Sequence, residues 1–144
     1  MRILGIAFGL FLILSLSSIR GYQTKVVQLG DITICNSSVL YHLKNRPFSS
    51  QQWKEVNSTI RGQMILDLAQ QNILANKKSS QIITMLGEPK CYMNYDGEPC
   101  YRISINKGHY VLAFPVNHSG SKAGKVNGPY LRKRSSDLFG CLGI

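Results

Sequence analysis

Ser58-Thr59-Ile60-Arg61-Gly62-Gln63-Met64-Ile65-Leu66-Asp67-Leu68-Ala69-Gln70-Gln71 is the stretch whose reading decides the fold. Ile60, Met64 and Leu68 recur at four-residue intervals, with Ile65 and Ala69 beside them. That spacing predicts one apolar stripe along a helix from Ser58 to Gln71. Arg61, Gln63, Asp67 and Gln70 fall on the remaining faces, and Gly62 lowers the helix propensity somewhat. Upstream, Pro47 breaks the chain, and Ser49 with Gln52 three residues on has the form of a capping box, so a helix starts there. Downstream, Asn76-Lys77-Lys78-Ser79 is a polar joint. Ser80 then reads as the cap of a second, shorter helix that buries Ile82, Ile83, Met85 and Leu86. Gly87 and Pro89 end it.

After Pro89 the pattern turns to alternation. Tyr101, Ile103 and Ile105 oppose Arg102 and Ser104, the period of a half-buried strand. Asn106-Lys107-Gly108 is a hairpin turn, and His109 to Val116 follows with Tyr110, Leu112, Phe114 and Val116 on one face. Asp96-Gly97 marks an earlier turn, so Cys91 to Tyr95 reads as a first strand; Lys125-Val126 reads as a short edge strand. Lys25 to Leu29 reads as a short strand followed by a Gly30-Asp31 turn, and Ile32 to Ile34 as another strand or a stretch laid across the domain, although residues 22–48 are weakly patterned as a whole. The expected fold class is α+β: a two-helix hairpin packed on a small, about three-stranded antiparallel sheet, preceded by a signal peptide. The expected organisation is a signal over 1–21, a weakly structured segment over 22–48, one α+β domain over 49–130 and a basic, then apolar, tail over 131–144.

The signal rests on Met1-Arg2, an apolar run from Ile3 to Leu16 and the small pair Ser15 and Ser17. The run falls short of the roughly 20 apolar residues that span a bilayer. Cleavage is expected after Ser17, or after Gly21, which places the chain in the periplasm or outside the cell. There Cys35, Cys91, Cys100 and Cys141 are expected to be bridged. Four cysteines allow three connectivities. The turn at Asn94 to Pro99 favours Cys91 with Cys100, which leaves Cys35 with Cys141.

Seventeen Lys and Arg face seven Asp and Glu, a formal charge of +10. A cut after Ser17 removes only Arg2, so the mature charge is 16 minus 7, or +9. Such a balance favours encounter with an anionic surface, either an acidic protein or anionic lipid. Export argues against nucleic acid as the partner, although Tyr92, Tyr95, Tyr101 and Tyr110 interleave with basic residues. Arg132-Lys133-Arg134 is the basic patch. It reads as a surface for anions or as a processing site that releases a short tail.

No catalytic, cofactor or metal residue is assigned. His42, His109 and His118 are scattered, and no cysteine or histidine stands at ligand spacing from another. Of the carboxylates only Asp96 and Glu98 sit close in sequence, around a turn glycine. No phosphate-binding glycine loop is present, and nothing marks one cysteine as a nucleophile, so the chain is not expected to be an enzyme. Asn36-Ser37-Ser38, Asn57-Ser58-Thr59 and Asn117-His118-Ser119 fit the glycosylation acceptor pattern.

From Trp53 to about Val126 the chain resembles small exported proteins of the BamE-like (SmpA/OmlA) type. The matching features are Arg61 and Met64 ahead of Asp67-Leu68, Leu86-Gly87 before Pro89, a tyrosine-bearing strand at Tyr92 or Tyr95, and Gly124-Lys125-Val126. The resemblance implies two helices on a three-stranded antiparallel sheet, used for protein–protein contact in the bacterial envelope. Such proteins include an accessory lipoprotein of the outer-membrane β-barrel assembly machinery. A similar helix–sheet arrangement serves secreted β-lactamase inhibitor proteins. Two departures stand out: no lipidated cysteine follows the signal, and Asn76-Lys77-Lys78 replaces the usual glycine before the second helix. The expected function is that of an exported, non-enzymatic protein-binding module of the cell envelope. The alternatives are a secreted hydrolase inhibitor or effector, and a basic anion-binding or antimicrobial precursor.

Overall fold

A computed structural model describes residues 25–93 and 98–134. A tight hairpin comes first, β1 (Val27–Leu29) and β2 (Ile32–Ile34), turning at Gly30 with φ +54°. A 3-10 turn, Ser37–His42, is capped by Asn36, whose Oδ1 accepts from the Ser38 amide at 3.0 Å. Three helices follow: α1 (Ser50–Glu55), α2 (Ser58–Gln70) and α3 (Ser79–Leu86). Then come β3 (Cys91–Met93), β4 (Glu98–Ile105), β5 (Gly108–Ala113), a 3-10 turn at Gly120–Lys122, and β6 (Tyr130–Lys133).

The strands form one six-stranded sheet in the order β1-β2-β6-β5-β4-β3. All neighbours are antiparallel except β2 and β6, which run parallel with Thr33 opposite Tyr130 and Ile34 opposite Leu131. This corrects the expected small antiparallel sheet under a two-helix hairpin: the sheet is larger and mixed, and α1 joins α2 and α3 on it. The reason is length and distance. β1, β2 and β6 have three, three and four residues, too few for alternation to register, and β6 overlaps the basic run Arg132-Lys133-Arg134 at Arg132 and Lys133. Its pairing with β2 also spans most of the chain, which no local pattern announces. The sheet therefore draws strands from segments 22–48 and 131–144 as well as from 49–130. Lys125 and Val126 make single bridges to Lys78 and Val116 and are not a strand of the sheet. The signal segment lies outside the described residues.

Local chemistry explains the helix ends. Ser49 caps α1 through its side chain and the Gln52 amide, and Asn57 caps α2 by accepting from the Thr59 and Ile60 amides at 3.0 Å each. The second helix begins two residues earlier than the Ser80 cap would give: Lys78 is the N-cap, and the Gln81 side chain reaches back to its amide at 2.8 Å. Gly87 ends α3 with φ +81°.

One face of the sheet carries the main core. Trp53, Met64, Ile65, Leu68, Ile82 and Leu86 from the helices meet Ile32, Ile34, Tyr101, Ile103, Leu112 and Leu131 from the strands. Phe48, Trp53, Tyr101 and Phe114 run through it edge to face, with centroids 5.9, 6.3 and 5.8 Å apart. The other face carries a small cluster of Cys100, Val111 and Ala113 flanked by Cys91, Met93 and Tyr130. There Cys91 and Cys100 stand opposite each other in the β3–β4 ladder and form a disulfide. Cys35 is buried and disulfide-bonded as well; its expected partner, Cys141, lies outside the described residues.

Two glycines bring α2 to backbone contact with the strands. A Cβ on Gly62 would stand 2.1 Å from the Ser104 carbonyl oxygen, and one on Gly30 would stand 1.8 Å from that of Ala69. Two carboxylates tie the loops around α2. Asp31 Oδ2 accepts from the Leu74 and Ala75 amides at 2.6 and 3.1 Å, and Asp67 Oδ2 from the Phe48 amide at 2.7 Å.

Gly62 supplies the first test. Inside a free helix, glycine to alanine gains about 1 kcal/mol. Here the clash is with backbone that cannot swing aside, and overpacking costs typically 1–3 kcal/mol. Gly62→Ala is therefore expected to lower the free energy of unfolding in urea by about 1–2 kcal/mol. A gain in stability would show that α2 does not press on β4.

Candidate functional site

Along its side away from β5, β4 is paired by β3 only over Glu98–Cys100. Beyond Cys100 the start of α2 comes up against β4, with Ser58 Oγ 2.8 Å from Ser104 Oγ. A cleft of about 510 Å3 opens where this junction meets the end of α1 and the α3–β3 loop. Its size suits a small ligand or one anchoring side chain of a larger partner. Four basic residues line it, Lys54, Arg61, Lys90 and Arg102, against two acidic ones, Glu55 and Glu88.

Each element of the wall is held by a defined contact. The Ser50 hydroxyl donates to the Met85 carbonyl at 2.5 Å, which joins α1 to α3. The aliphatic stem of Lys54 lies over Gly87, where a Cβ would meet its Cγ at 3.1 Å. The Tyr101 hydroxyl donates to the Gly87 carbonyl at 2.7 Å and so ties the strand to the same turn. Arg61 donates from Nε to the Trp53 carbonyl at 2.9 Å, and its guanidinium carbon lies 5.8 Å from the centroid of the Trp53 ring. Burial pulls the Arg61 pKa below its ordinary value, with the nearby Tyr101 opposing. Burial also raises the Tyr101 pKa far above 10, with Glu88 and Tyr92 adding to the effect and Arg61 opposing it.

A second cavity of about 230 Å3 lies beside the first and shares Ser58 and Arg102 with its lining. His109 and Arg134 line its far end. The basic surface thus runs from Lys54 and Lys90 through Arg61 and Arg102 to Arg134. Of the expected basic patch, only Arg134 borders these cavities. Arg132 is half-buried on the sheet face away from the main core, in the same cross-strand row as Arg102 and Val111, with its Nη2 3.5 Å from Met93 Sδ, and Lys133 pairs in register with Tyr110. Arg132 and Lys133 therefore belong to a strand flanked on both sides and not to a free tail.

The remaining sequence candidates scatter. His42 Nε2 lies 3.3 Å from Asn106 Nδ2, and His109 is exposed. His118 Nε2 lies 3.9 Å from Oε1 of the buried Glu98, which also accepts from the Val116 amide. No group of three or more His, Cys, Asp and Glu able to hold a metal forms among the described residues. No helix among them is long and apolar enough to cross a membrane. Asn36 and Asn57 of the glycosylation patterns serve as caps, and Asn117 Nδ2 donates to the Lys125 carbonyl at 3.3 Å. Of the interleaved tyrosines, Tyr101 is buried, Tyr110 half-buried and Tyr92 exposed; Tyr95 lies outside the described residues. Sequence reasoning noticed Arg61 only as a polar-face residue and through the resemblance, and passed over Lys54 and Lys90, because the cleft's cations come from four separate elements and loops. Compared with family models, curated proteins and solved structures, the chain matches none.

Two measurements check this geometry. The Tyr101 hydroxyl keeps its proton in the folded state at pH values where an unfolded tyrosine, with a pKa near 10, has lost it. Its contribution to stability is therefore complete below pH 10 and is lost as the pH rises above it. Urea midpoints should fall from pH 9 to pH 11, and Tyr101→Phe should flatten that fall; an unchanged slope would place the hydroxyl in water. Limited trypsinolysis should cut first after Lys122, in the exposed loop, and spare Arg132 and Lys133 until the sheet opens. Early cleavage at Arg132 or Lys133, read by mass after reduction, would contradict β6 as an inner strand.

Proposed function

We propose that this chain is an exported, non-enzymatic binding module of the cell envelope that recognises an acidic surface on a partner protein. The observation that carries the proposal is the basic lining of the two adjacent cavities, from Lys54 and Lys90 to Arg134, on a chain with a formal charge of +10. Like charges gathered along a concave surface focus the field and raise the encounter rate with an anionic partner. The signal reading of residues 1–21 supplies export, and the resemblance to BamE-like proteins supplies the envelope setting and the expectation of a protein partner. A disulfide on β3–β4 agrees with an oxidising compartment.

The test uses the mature protein as bait for cross-linking in envelope extracts, beside the charge-reversed variant Lys90→Glu/Arg102→Glu/Arg134→Glu. All three positions are exposed, so the variant should fold as the native chain does. The expected result is one specific acidic partner, captured at low salt, lost at about 0.5 M salt and lost with the variant, because exposed charges are screened within about 10 Å or less at such ionic strengths. Recovery of no specific partner, or equal capture by the variant, would sink the proposal.

A further inference from the structure

Arg61 differs from the cations around it. Lys54, Lys90 and Arg102 are exposed, whereas Arg61 is half-buried at the junction of α1, α2 and β4. Its Nε is committed to the Trp53 carbonyl, and the Trp53 ring lies beside the guanidinium. One donor is thus used, and the four N–H bonds of the two terminal nitrogens remain for other partners. Glu55 and Glu88 line the same cleft, yet no carboxylate of the described residues pairs with Arg61. The guanidinium therefore carries a desolvation cost that no anion within the described fold offsets.

We infer that Arg61 is the seat for one carboxylate of the acidic partner, an Asp or Glu side chain inserted into the cleft and held by the fork of the guanidinium. This inference rests on the binding function proposed above and names its anchor. Three features select a carboxylate. The planar fork matches the two oxygens of a carboxylate, and the bond from Nε to the Trp53 carbonyl positions the guanidinium before the partner arrives. Val56, partly exposed in the lining, offers apolar contact for the methylene stem of an acidic side chain. Glu55 and Glu88 halve the local excess of positive charge, which favours a singly charged group over a doubly charged phosphate. Lys54, Lys90 and Arg102 then serve as the rim, drawing the acidic segment in without fixing its geometry.

The experiment titrates the full-length exported protein with a soluble Asp/Glu-rich peptide and with its Asn/Gln counterpart, by calorimetry and by the emission of Trp53. Trp53 is the only tryptophan in the chain, so its emission reports directly on the neighbourhood of Arg61. The acidic peptide should bind and shift that emission, and the amide peptide should do neither. Arg61→Lys keeps the charge and removes the fork; it should weaken binding roughly ten- to hundred-fold. Lys90→Ser/Arg102→Ser should instead weaken binding modestly and flatten its salt dependence. Calorimetric binding that leaves Trp53 emission unchanged would overturn the inference without any variant. So would native affinity in Arg61→Lys combined with loss in the rim variant, although the anion-directed function would then stand. Binding of inorganic phosphate or of phosphatidylglycerol vesicles in preference to the peptide would overturn the carboxylate. If the peptide fails to bind and cross-linking is also indifferent to charge reversal, the proposed function falls together with its anchor.

Discussion

The contact on which the rest of the molecule depends is that of a helix backbone against a strand backbone, Gly62 of α2 over the Ser104 carbonyl of β4. Any side chain at position 62 would push the helix off the strand. With glycine there, α2 sinks until Met64, Ile65, Leu68 and Ala69 are completely buried. The second close approach, Gly30 against the Ala69 carbonyl, brings the β1–β2 hairpin to the other end of the same helix. One helix is thereby gripped at both ends by strands from opposite halves of the sheet. The neighbour of Gly62 is Arg61, so the same contact that seats the helix also sets the guanidinium beside Trp53 instead of in open water. The site is a by-product of how deeply the helix is buried.

The acidic residues are used differently from the basic ones. Asp31 and Asp67 accept backbone amides of loops that flank α2, and the buried Glu98 accepts the Val116 amide. These three of the seven carboxylates act as fasteners for backbone donors, a task that a charged acceptor performs well because charge-assisted bonds are the stronger kind. Most of the lysines and arginines, by contrast, are exposed or line cavities. The surface is consequently more basic than the composition suggests, since part of the negative charge is folded inward. That placement links stability to electrostatics: the same three acids cannot both lock the loops and neutralise the outer surface.

Much of the fold was legible where it was local. The stripe through Ile60, Met64 and Leu68, the capping residues Ser49 and Gln52, the Gly87 stop and the Tyr101–Ile105 alternation all act over a few residues, and each became the element it announces. β1 and the Gly30-Asp31 turn were visible as well, but β2 reads either as a strand or as a stretch across the domain, and its place in the sheet was not visible. β2 finds its partner in β6, close to a hundred residues along the chain, and a parallel pair carries no turn signal of its own. β6 was further masked by composition, because Arg132 and Lys133 read as a solvated tail. Strand pairing overrode that reading: Leu131 enters the core and Arg132 lies against Met93. The cleft was less legible still. Lys54, Arg61, Lys90 and Arg102 belong to four separate segments, so their meeting is a property of tertiary structure alone.

What gives the cleft its stiffness is the aromatic file behind it. Phe48, Trp53, Tyr101 and Phe114 are stacked edge to face from the α1 approach to the end of β5, and Trp53, Tyr101 and Phe114 are almost wholly buried. Trp53 holds Arg61 through its carbonyl and its ring, while Tyr101 holds the Gly87 turn through its hydroxyl. The two sides of the opening are thus anchored to adjacent rings of one packed column. A partner that enters meets groups already in position, and the entropy of ordering them has been spent in folding rather than at the moment of binding. Under the proposed binding function, this arrangement sets the half-buried Arg61 apart from the exposed charges of the rim. In that proposal, long-range attraction from exposed charges would serve any acidic surface, whereas a packed floor would distinguish one carboxylate that fits from a general excess of negative charge.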